Sequence, residues 1–393
     1  MADVLIIGCG LIGTSIGLAL QQAERQVLLH DEDAERVALA ATRGAGEAWN
    51  GADSAALVVA AVPPAQTGAV LAEAQRLGLG QTYTHVSSVQ SVVQADVESL
   101  NCDLSLIVGG HPLAGREHSG PLAADAAMFV GRSWAVCPST QSSAESVAAV
   151  QELARSCGAE PVDVGIEAHD RSVAQLSHVP HIASSALAGL LVAATTAGAR
   201  TTSGDPEGIR FELSGPGLAD STRLAAGDPA LWTEILSANA RHVAPSVRAL
   251  AAALESLAGD LEVLAGRPPG QGIPRDAAGD PLPVAPDAQA ARAALVTFLM
   301  RGRQGRQAVP VKRGRAAGDF AALGVDVDDQ PGRLAALLMA AGDAGINVED
   351  VRVDHVPGRP RGLIELLVRA DALGDLSTAL RAGGWRVRSA ADG

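Results

Sequence analysis

Short apolar runs alternate with amphipathic stretches through the first part of the chain. The apolar runs occupy residues 4–7, 26–30, 56–61, 82–87, 106–108 and 133–137. Between them, apolar positions recur at the spacing of an α-helix. Strands that alternate with helices are typical of βαβ units, which build a mainly parallel sheet covered by helices. The pattern therefore predicts an α/β domain over residues 1–164.

The pattern becomes helical in the middle of the chain. Residues 165–264 are rich in Ala and Leu at helical spacing, with few strand signals, and a further helical pattern covers residues 287–301. The intervening stretch, 267–286, is rich in Pro, Gly and Asp and is predicted to be a loop. We predict an all-helical domain over residues 165–305.

The last part of the chain predicts a small separate domain. Residues 301–315 are rich in arginine and turn-forming residues, which is typical of a solvated linker, and we place this linker at 306–319. The pattern of residues 320–389 then predicts the order strand, helix, strand, strand, helix, strand. A βαββαβ domain over residues 320–393 follows.

One helical stretch is unusually apolar. Residues 182–199 carry no charged side chain, and their length approaches that of a membrane span. Several Ser, Thr and Gly residues keep the hydrophobicity modest, so we predict burial at a domain or subunit interface and no membrane insertion. Because such a helix needs a partner surface, we expect the helical domain to form a homodimer.

Composition and charge narrow the function classes. The formal net charge is -14, which argues against nucleic-acid binding, since phosphates are neutralised by clustered Lys and Arg. The four cysteines show no CxxC spacing, so neither a disulfide framework nor a zinc site is expected. The strand pattern at residues 4–7 follows the N-terminal Met without a leader pattern, which predicts a cytoplasmic location. A small-molecule enzyme fits these features.

A glycine-rich hexamer follows the first predicted strand and opens a helix. Its residues are Gly8, Cys9, Gly10, Leu11, Ile12 and Gly13. In this context a GxGxxG hexamer is typical of a Rossmann dinucleotide-binding domain, whose glycines permit a tight turn and close approach of a pyrophosphate. Asp31 ends the second predicted strand, where a carboxylate accepts hydrogen bonds from a ribose and favours NAD over NADP. The alternative interpretation of Asp31 is a helix N-cap.

Four ordered motifs carry a family resemblance. GHPLAGREHSG at residues 110–120 resembles the HPMAGxExSG signature of prephenate and arogenate dehydrogenases, and DRSVAQLSHVPH at 170–181 resembles the family's HDxxxAxxSHLPH. DSTRLA at 220–225 and DPALW at 228–232 resemble its DxTRIA and DPxxW motifs. Together with the glycine loop, these motifs are distributed in the family's order over most of residues 1–312. The sequence is therefore similar to the NAD-dependent prephenate dehydrogenases.

One motif departs from the family pattern. THVSSVQ at residues 84–90 stands where the family usually has TDVGSVK, so that His85, Ser87 and Gln90 replace Asp, Gly and Lys, while Ser88 is kept. The replacement removes a possible ion pair, and its effect on the surroundings of the nicotinamide stays open at this point.

The resemblance implies oxidative decarboxylation of prephenate with reduction of NAD. It implies that His111 is the base or hydrogen-bond acceptor and that Ser88 orients His111 and the substrate hydroxyl. A neutral imidazole suits this work near neutral pH. Arg223 is expected to bind the ring carboxylate, because a guanidinium matches a carboxylate in a bidentate way. His178 and His181 are expected to bind the pyruvyl side chain.

Two further residues receive roles from the resemblance. Glu117 is expected to act as a gate or electrostatic regulator beside the pocket, with an exposed loop carboxylate as the alternative. Trp232 is expected to project towards the neighbouring subunit's site, with a buried core tryptophan as the alternative. No metal is expected, because the two histidines His178 and His181 lack an accompanying third ligand.

The C-terminal segment resembles an ACT domain, a small module that senses amino acids. DQPGRL at residues 329–334 predicts a turn into a helix, and GINV at 345–348 predicts entry into the next strand. Asp329, Gly332 and Asn347 are the expected regulatory contacts, and exposed amides at such turns can bind a carboxylate. The resemblance implies L-tyrosine as effector. The alternative is a small dimerising domain that senses nothing.

Other functions stay open at this level. Arogenate dehydrogenase is hard to separate from prephenate dehydrogenase by sequence, since the substrates differ by an amine and a ketone. A 3-hydroxyacid dehydrogenase shares the domain pattern but not the HPLAG and STRLA motifs. A non-catalytic, ACT-bearing amino-acid sensor is disfavoured because Ser88, His111 and Arg223 are all present.

Overall fold

The computed structural model describes residues 2–115, 120–198, 211–265, 286–309, 319–355 and 361–388. The chain divides into two compact units, residues 1–250 and residues 251–393. The division falls within one long helix. The first unit contains the sheet and most of the helical segment, and it holds all of the catalytic, substrate-binding and cofactor-binding residues predicted from the sequence.

The first unit is built on an eight-stranded sheet with the order β3-β2-β1-β4-β5-β6-β7-β8. Adjacent strands are parallel except β6 and β7, which pair antiparallel. The strands are β1 Ala2–Ile7, β2 Val27–His30, β3 Glu47–Ala48, β4 Ala55–Ala60, β5 Gly80–His85, β6 Ile107–Pro112, β7 Ser133–Pro138 and β8 Glu160–Asp163. The mainly parallel sheet and its six predicted strands are confirmed. The short edge strands β3 and β8 were not predicted, since neither contains a distinctive apolar run.

Helices pack on both faces of this sheet. The helices are α1 Leu11–Gln22, α2 Ala34–Thr42, α3 Pro64–Arg76, α4 Gln90–Ser99 and α5 Ala144–Ser156. Strand residues alternate between the faces, so Ile6 joins the core under α1 and α5 while Leu5 joins the core under α3 and α4. Because both faces are buried, the central strands are apolar almost throughout.

A run of helices follows the sheet in the described part of the first 265 residues. They are α6 Ile166–Val173, α7 Val179–Gly198, α8 Pro216–Thr222, α9 Pro229–Ala238 and α10 Ala240–Ala265. A wide π-type turn at Ala174–His178 joins α6 to α7. None of the helices in the described part of the chain combines the length and hydropathy that a membrane span requires. Leu190 and Val192 of α7 are exposed, as are Leu254 and Leu261 of α10.

The second unit contains a four-stranded antiparallel sheet with the order β10-β11-β9-β12. Its elements are the end of α10, then α11 Pro286–Ala308, β9 Phe320–Asp328, α12 Arg333–Asp343, β10 Asp350–His355, β11 Arg361–Arg369, α13 Leu373–Ala382 and β12 Arg386–Val387. From β9 onward the elements follow the predicted βαββαβ order. The core of this domain lies between the sheet and its two helices, with Val325, Leu337 and Leu376 fully buried.

The predicted linker begins later than the sequence pattern suggested. Helix α11 continues to Ala308, so residues 306–308 are helical. Arg306, Gln307 and Ala308 are residue types with high helix propensity, so helix α11 continues through them. Residues 310–318 of the predicted linker lie outside the described residues, as does most of the loop predicted at 267–286.

Candidate active site

The glycine-rich loop between β1 and α1 forms a cradle for a dinucleotide. Gly8 has φ +107°, and a Cβ there would lie 2.3 Å from the carbonyl oxygen of Ala61. A Cβ at Gly13 would lie 1.9 Å from the oxygen of Gly8, so α1 can approach the strand only with glycine at this position. At Gly10 a Cβ would meet nothing within 4 Å, and this residue caps α1 with no side-chain hydrogen bond. Gly10 therefore leaves the helix N-terminus open to an anion.

Asp31 lies beside this loop, directly after β2. Its Oδ2 accepts the backbone amide of Cys9 at 2.7 Å, and its Oδ1 accepts the amide of Asp33 at 2.9 Å. The residue that caps α2 is Asp33, whose carboxylate accepts the amide of Glu35. The cap interpretation of Asp31 is therefore wrong, and its carboxylate lies against the glycine-rich loop. Leu11 and Ile12 pack against the core below the loop.

The three residues that depart from the family pattern, His85, Ser87 and Gln90, form a buried network of hydrogen bonds between uncharged groups. Ser87 donates its amide to Nδ1 of His85 at 3.3 Å, and its hydroxyl lies 3.1 Å from that of Thr67. Nε2 of Gln90 donates to the carbonyls of Ser87 and Gly110, at 2.6 and 3.2 Å. Because Gly110 precedes His111, the network ties the turn after β5 to the strand that carries this histidine. Neutral hydrogen bonds occupy the place of the family's expected ion pair.

His111, His169 and Asp170 form a hydrogen-bonded line. Nδ1 of His111 lies 2.9 Å from Nε2 of His169, and Nδ1 of His169 lies 2.8 Å from Oδ1 of Asp170. The same carboxylate accepts the amides of Gln90 and Ser91, at 2.9 and 2.8 Å, and so caps the start of α4. In the described part of the chain, Nε2 of His111 has no hydrogen-bond partner.

Burial sets the charge states along this line. Burial alone would raise the pKa of Asp170, but hydrogen bonds from His169 and from the amides of α4 outweigh it and lower the pKa to about 2. Burial, together with repulsion from His169 and its neighbours, lowers the pKa of His111 to about 3. At neutral pH, Asp170 is therefore ionised and His111 is a neutral imidazole with one proton.

A second branch leads from Asp170 to His178. Nδ2 of Asn239 donates to the backbone carbonyl of Asp170 at 2.8 Å and lies 3.2 Å from Nδ1 of His178. Asn239 is fully buried at the end of α9, and its Oδ1 has no hydrogen-bond partner in the described residues. Burial lowers the pKa of His178 to about 4. The π-type turn widens the helix where His178 enters this cluster.

His181 and Trp232 line a groove beside these histidines. Their rings are stacked, with centroids 3.6 Å apart and planes inclined by 14°, while the His178 ring meets Trp232 edge-on at 6.1 Å. A Cβ at Gly227 would lie 2.6 Å from Nε1 of Trp232, so glycine is required there. The groove has a volume of about 500 Å³ and is also lined by Ile182, Ser185, Ala225 and Leu236. Trp232 is half-buried and lies against histidines of its own chain.

Two predicted site residues, Ser88 and Arg223, take no part in the hydrogen bonds of this cluster within the described residues. The hydroxyl of Ser88 forms no hydrogen bond within the described residues, and its role in orienting His111 and the substrate hydroxyl stays a prediction. Nδ1 of His111 lies against His169, because β6 and α6 bring the two rings together. Arg223 is exposed at the start of a short helical turn, which is tied to α7 by a hydrogen bond from the Ala225 amide to Ser184 at 3.1 Å. Glu117 lies outside the described residues.

Sequence reasoning missed His169 and Asn239. The sequence did contain a signal for His169, since the family motif begins with His-Asp and this chain has His169 directly before Asp170. Asn239 belongs to no quoted motif and is 69 residues from Asp170. Only the fold brings these two residues together.

The predicted regulatory residues lie in the second unit. Gly332 has φ +83° and caps α12, and Gly345 has φ +72°, so both occupy the left-handed region as expected for these turns. Asn347 donates to Oε1 of Glu349 at 2.8 Å, and Asp329 is exposed.

The fold and site define a class of protein. A parallel sheet with a phosphate-binding glycine loop, an acidic residue after β2 and a buried imidazole beside the sheet is typical of a dinucleotide-dependent dehydrogenase. Within the described residues, no group of His, Cys, Asp or Glu is arranged to hold a metal ion.

Two family models match the chain. The prephenate dehydrogenase nucleotide-binding domain matches residues 16–162, and the prephenate dehydrogenase dimerization domain matches residues 166–263. The probable prephenate dehydrogenase NovF of Streptomyces niveus is 34% identical over 391 residues, covering 99% of this chain and 100% of that protein. The chain belongs to the prephenate dehydrogenase family.

Solved structures share the fold. A prephenate dehydrogenase from A. aeolicus, in complex with hydroxyphenyl propionate and NAD+, has a TM-score of 0.62 at 22% identity and covers 78% of this chain and 97% of its own. The arogenate dehydrogenase of Synechocystis has a TM-score of 0.58 at 21% identity and covers 77% of this chain and 99% of its own.

Proposed function

We propose that this protein is an NAD-dependent prephenate dehydrogenase, which converts prephenate to 4-hydroxyphenylpyruvate and carbon dioxide in tyrosine biosynthesis. The observation that carries the proposal is the line from Asp170 through His169 to His111, whose Nε2 has no hydrogen-bond partner among the described residues. Family membership supports the substrate. A cytoplasmic location remains a prediction.

The glycine loop and Asp31 fit NAD. Gly8 and Gly13 have no room for a side chain, Gly10 leaves the N-terminus of α1 open, and Asp31 adds a carboxylate that suits two ribose hydroxyls and disfavours a 2′-phosphate. When bound, NAD accepts the hydride that leaves C4 of prephenate. The loop and α1 hold the pyrophosphate, and Asp31 selects the ribose.

His111 handles the proton of the substrate hydroxyl. Its Nε2 accepts this proton as the C4–H electron pair departs, and the imidazolium that forms is stabilised through His169 by the carboxylate of Asp170. The bond between C1 and the ring carboxylate then breaks, its electron pair enters the ring, and carbon dioxide leaves. The proton returns from His111 to the new phenol oxygen, so the reaction consumes and releases no net proton.

The two carboxylates of prephenate need cationic or hydrogen-bonding partners. His178 and His181 are proposed to bind the pyruvyl side chain, supported by their burial beside Trp232 and the groove. Arg223 is proposed to bind the ring carboxylate, supported by its location two residues before the groove-lining Ala225 and by its lack of an ion-pair partner in the described residues. Ser88 is proposed to contact the substrate hydroxyl, and Glu117 to regulate access.

We also propose a homodimer formed through the helical domain. The match to a dimerization domain supports it, as do the exposed apolar side chains of α7 and α10. Sedimentation at micromolar concentration tests this, and a stable monomer would contradict it.

A rate comparison tests the enzymatic proposal. The full-length protein is assayed with prephenate and with arogenate, each with NAD and with NADP, by absorbance of the reduced nucleotide and by carbon dioxide release. The expected result is turnover with prephenate and NAD. Faster turnover of arogenate would reassign the substrate, and no turnover of either would reject the function.

The domain at residues 320–393 is proposed to be an ACT domain that binds L-tyrosine. Its βαββαβ order and the left-handed glycines of its turns support this, and the contacts proposed are Asp329, Gly332 and Asn347. Allostery requires tyrosine to bind one state better, with a coupling of about 1–3 kcal/mol. Asn347→Ala in the full-length protein should raise the tyrosine concentration needed for inhibition. If a protein that ends near Arg315 were still inhibited by tyrosine with unchanged potency, tyrosine would be acting at the active site and not at this domain.

A further inference from the structure

Two active-site histidines are connected to the same aspartate by different atoms. The carboxylate of Asp170 reaches His111 through the ring of His169, and the backbone carbonyl of Asp170 reaches His178 through the amide of Asn239. The polarity of each hydrogen bond in these branches follows from which atoms can only donate or only accept.

The first branch fixes the proton of His111. The ionised carboxylate of Asp170 can only accept, so Nδ1 of His169 carries a proton and donates it. With a single proton on the His169 ring, its Nε2 is then an acceptor, and the proton between the two rings belongs to Nδ1 of His111. Nε2 of His111 is left with its lone pair, as an acceptor.

The second branch fixes the proton of His178 in the opposite way. A backbone carbonyl only accepts, so the atom of Asn239 that faces Asp170 is the amide nitrogen, and both of its hydrogens are used. Nδ1 of His178 therefore accepts, and Nε2 of His178 carries the proton. The cost of this arrangement is the buried Oδ1 of Asn239, which has no hydrogen-bond partner among the described residues.

We propose that Asp170 is a positioning residue that holds His111 and His178 in opposite tautomers, His111 as a proton acceptor at Nε2 and His178 as a hydrogen-bond donor at Nε2. The inference rests on the proposed function. It explains how one site accepts a proton from the substrate hydroxyl at one histidine and donates a hydrogen bond to a carboxylate or ketone at another. His169 and Asn239 act through these two histidines.

His169 can be replaced by a side chain with the same polarity. In His169→Gln, the amide nitrogen can donate to Asp170 and the amide oxygen can accept from His111, whereas His169→Leu can do neither. Both variants leave the cap of α4 by Asp170 intact. His169→Gln should keep kcat within about 10-fold of wild type, and His169→Leu should lower it by about 10²–10⁴-fold, the usual worth of a placed base.

Asn239→Leu tests the second branch. It removes the donor to His178 but leaves the line from Asp170 to His111. It should raise KM for prephenate by about 10-fold or more, the fold-change for one charge-assisted hydrogen bond, with a smaller effect on kcat. Asp163→Asn, at the exposed end of β8, is the control and should match wild type in both constants.

Nitrogen-15 NMR of histidine side chains in the full-length protein reads the tautomers without any turnover. Wild type should show His111 protonated at Nδ1 and His178 at Nε2, with only the first changed in His169→Leu and only the second in Asn239→Leu. His111 protonated at Nε2 in the wild type, or unchanged tautomers in both variants, would overturn the proposal. A wild type with these tautomers and no turnover of cyclohexadienyl substrates would reject the function instead.

Discussion

The imidazole of His181 lies flat on the indole of Trp232, with ring centroids 3.6 Å apart. The stack joins the start of α7 to α9 and forms one wall of the groove. Gly227 makes room for it, since any side chain there would meet both rings. The orientation of His181 therefore depends on a residue 51 positions further along the chain.

Trp232→Ala should weaken prephenate binding by removing this platform. An aromatic pair contributes about 0.5–1.5 kcal/mol beyond its buried area, which corresponds to an increase in KM of about 2- to 13-fold. Trp232→Phe keeps a ring and should show the smaller change. Steady-state kinetics measures both variants, and equal KM values for alanine, phenylalanine and wild type would show that the stack has no part in binding.

His111→Ala should lower kcat by about 10²–10⁴-fold, because no other described side chain is held to accept the hydroxyl proton. NAD affinity, measured by fluorescence titration, should remain near that of wild type, since the glycine loop and Asp31 are separate from His111. A folded variant with wild-type turnover would remove His111 from the mechanism.

Asp31→Asn should reduce the preference for NAD over NADP. The amide oxygen can still accept the Cys9 amide, but the negative charge that repels a 2′-phosphate is gone. The ratio of kcat/KM for the two nucleotides measures the change. Asp33→Asn, at the cap of α2, is the control, and an equal shift in both variants would contradict a specific role for Asp31.

Arg223→Ala should weaken prephenate binding by roughly 10²-fold, the worth of a charge-assisted contact of a few kcal/mol. Arg223→Lys keeps the charge but not the bidentate geometry, so its KM for prephenate should lie between those of wild type and Arg223→Ala. Arg76→Ala, which removes an exposed ion pair with Glu73 on α3, should leave KM unchanged. An unchanged KM in Arg223→Ala would assign Arg223 a role other than substrate binding.

Stability should fall below pH 6.5 through buried histidines. Burial lowers the pKa of His85 to about 3, whereas an unfolded histidine titrates near about 6.5. The folded state thus binds fewer protons, so the stability contributed by His85 is present above the unfolded pKa and is lost as the pH falls towards the folded value. At pH 5 the loss is about 2 kcal/mol relative to neutral pH.

His85→Asn removes this contribution. The difference between the free energies of unfolding at pH 7 and pH 5, measured by urea titration, should shrink by about 2 kcal/mol. His30→Asn, at an exposed position, is the control and should keep the wild-type difference. The same pH dependence in His85→Asn and wild type would rule out His85 as the source.

The sequence by itself determined the parts of this protein that depend on local spacing. The apolar runs predicted the central strands, because a strand buried on both faces must be apolar along its length. The hexamer at residues 8–13 and the acid at residue 31 predicted the dinucleotide cradle, and the left-handed turns at Gly332 and Gly345 followed from glycine itself. The motifs around His111 and Arg223 indicated the family.

The tertiary structure decided which side chains meet. His111 and His169 are 58 residues apart, and Asp170 reaches both the start of α4 and Asn239, so no local pattern contains these contacts. The edge strands β3 and β8 depend on pairing with their neighbours and not on their own composition. The ring of His169 lies within hydrogen-bond distance of His111 only because the fold brings α6 beside β6.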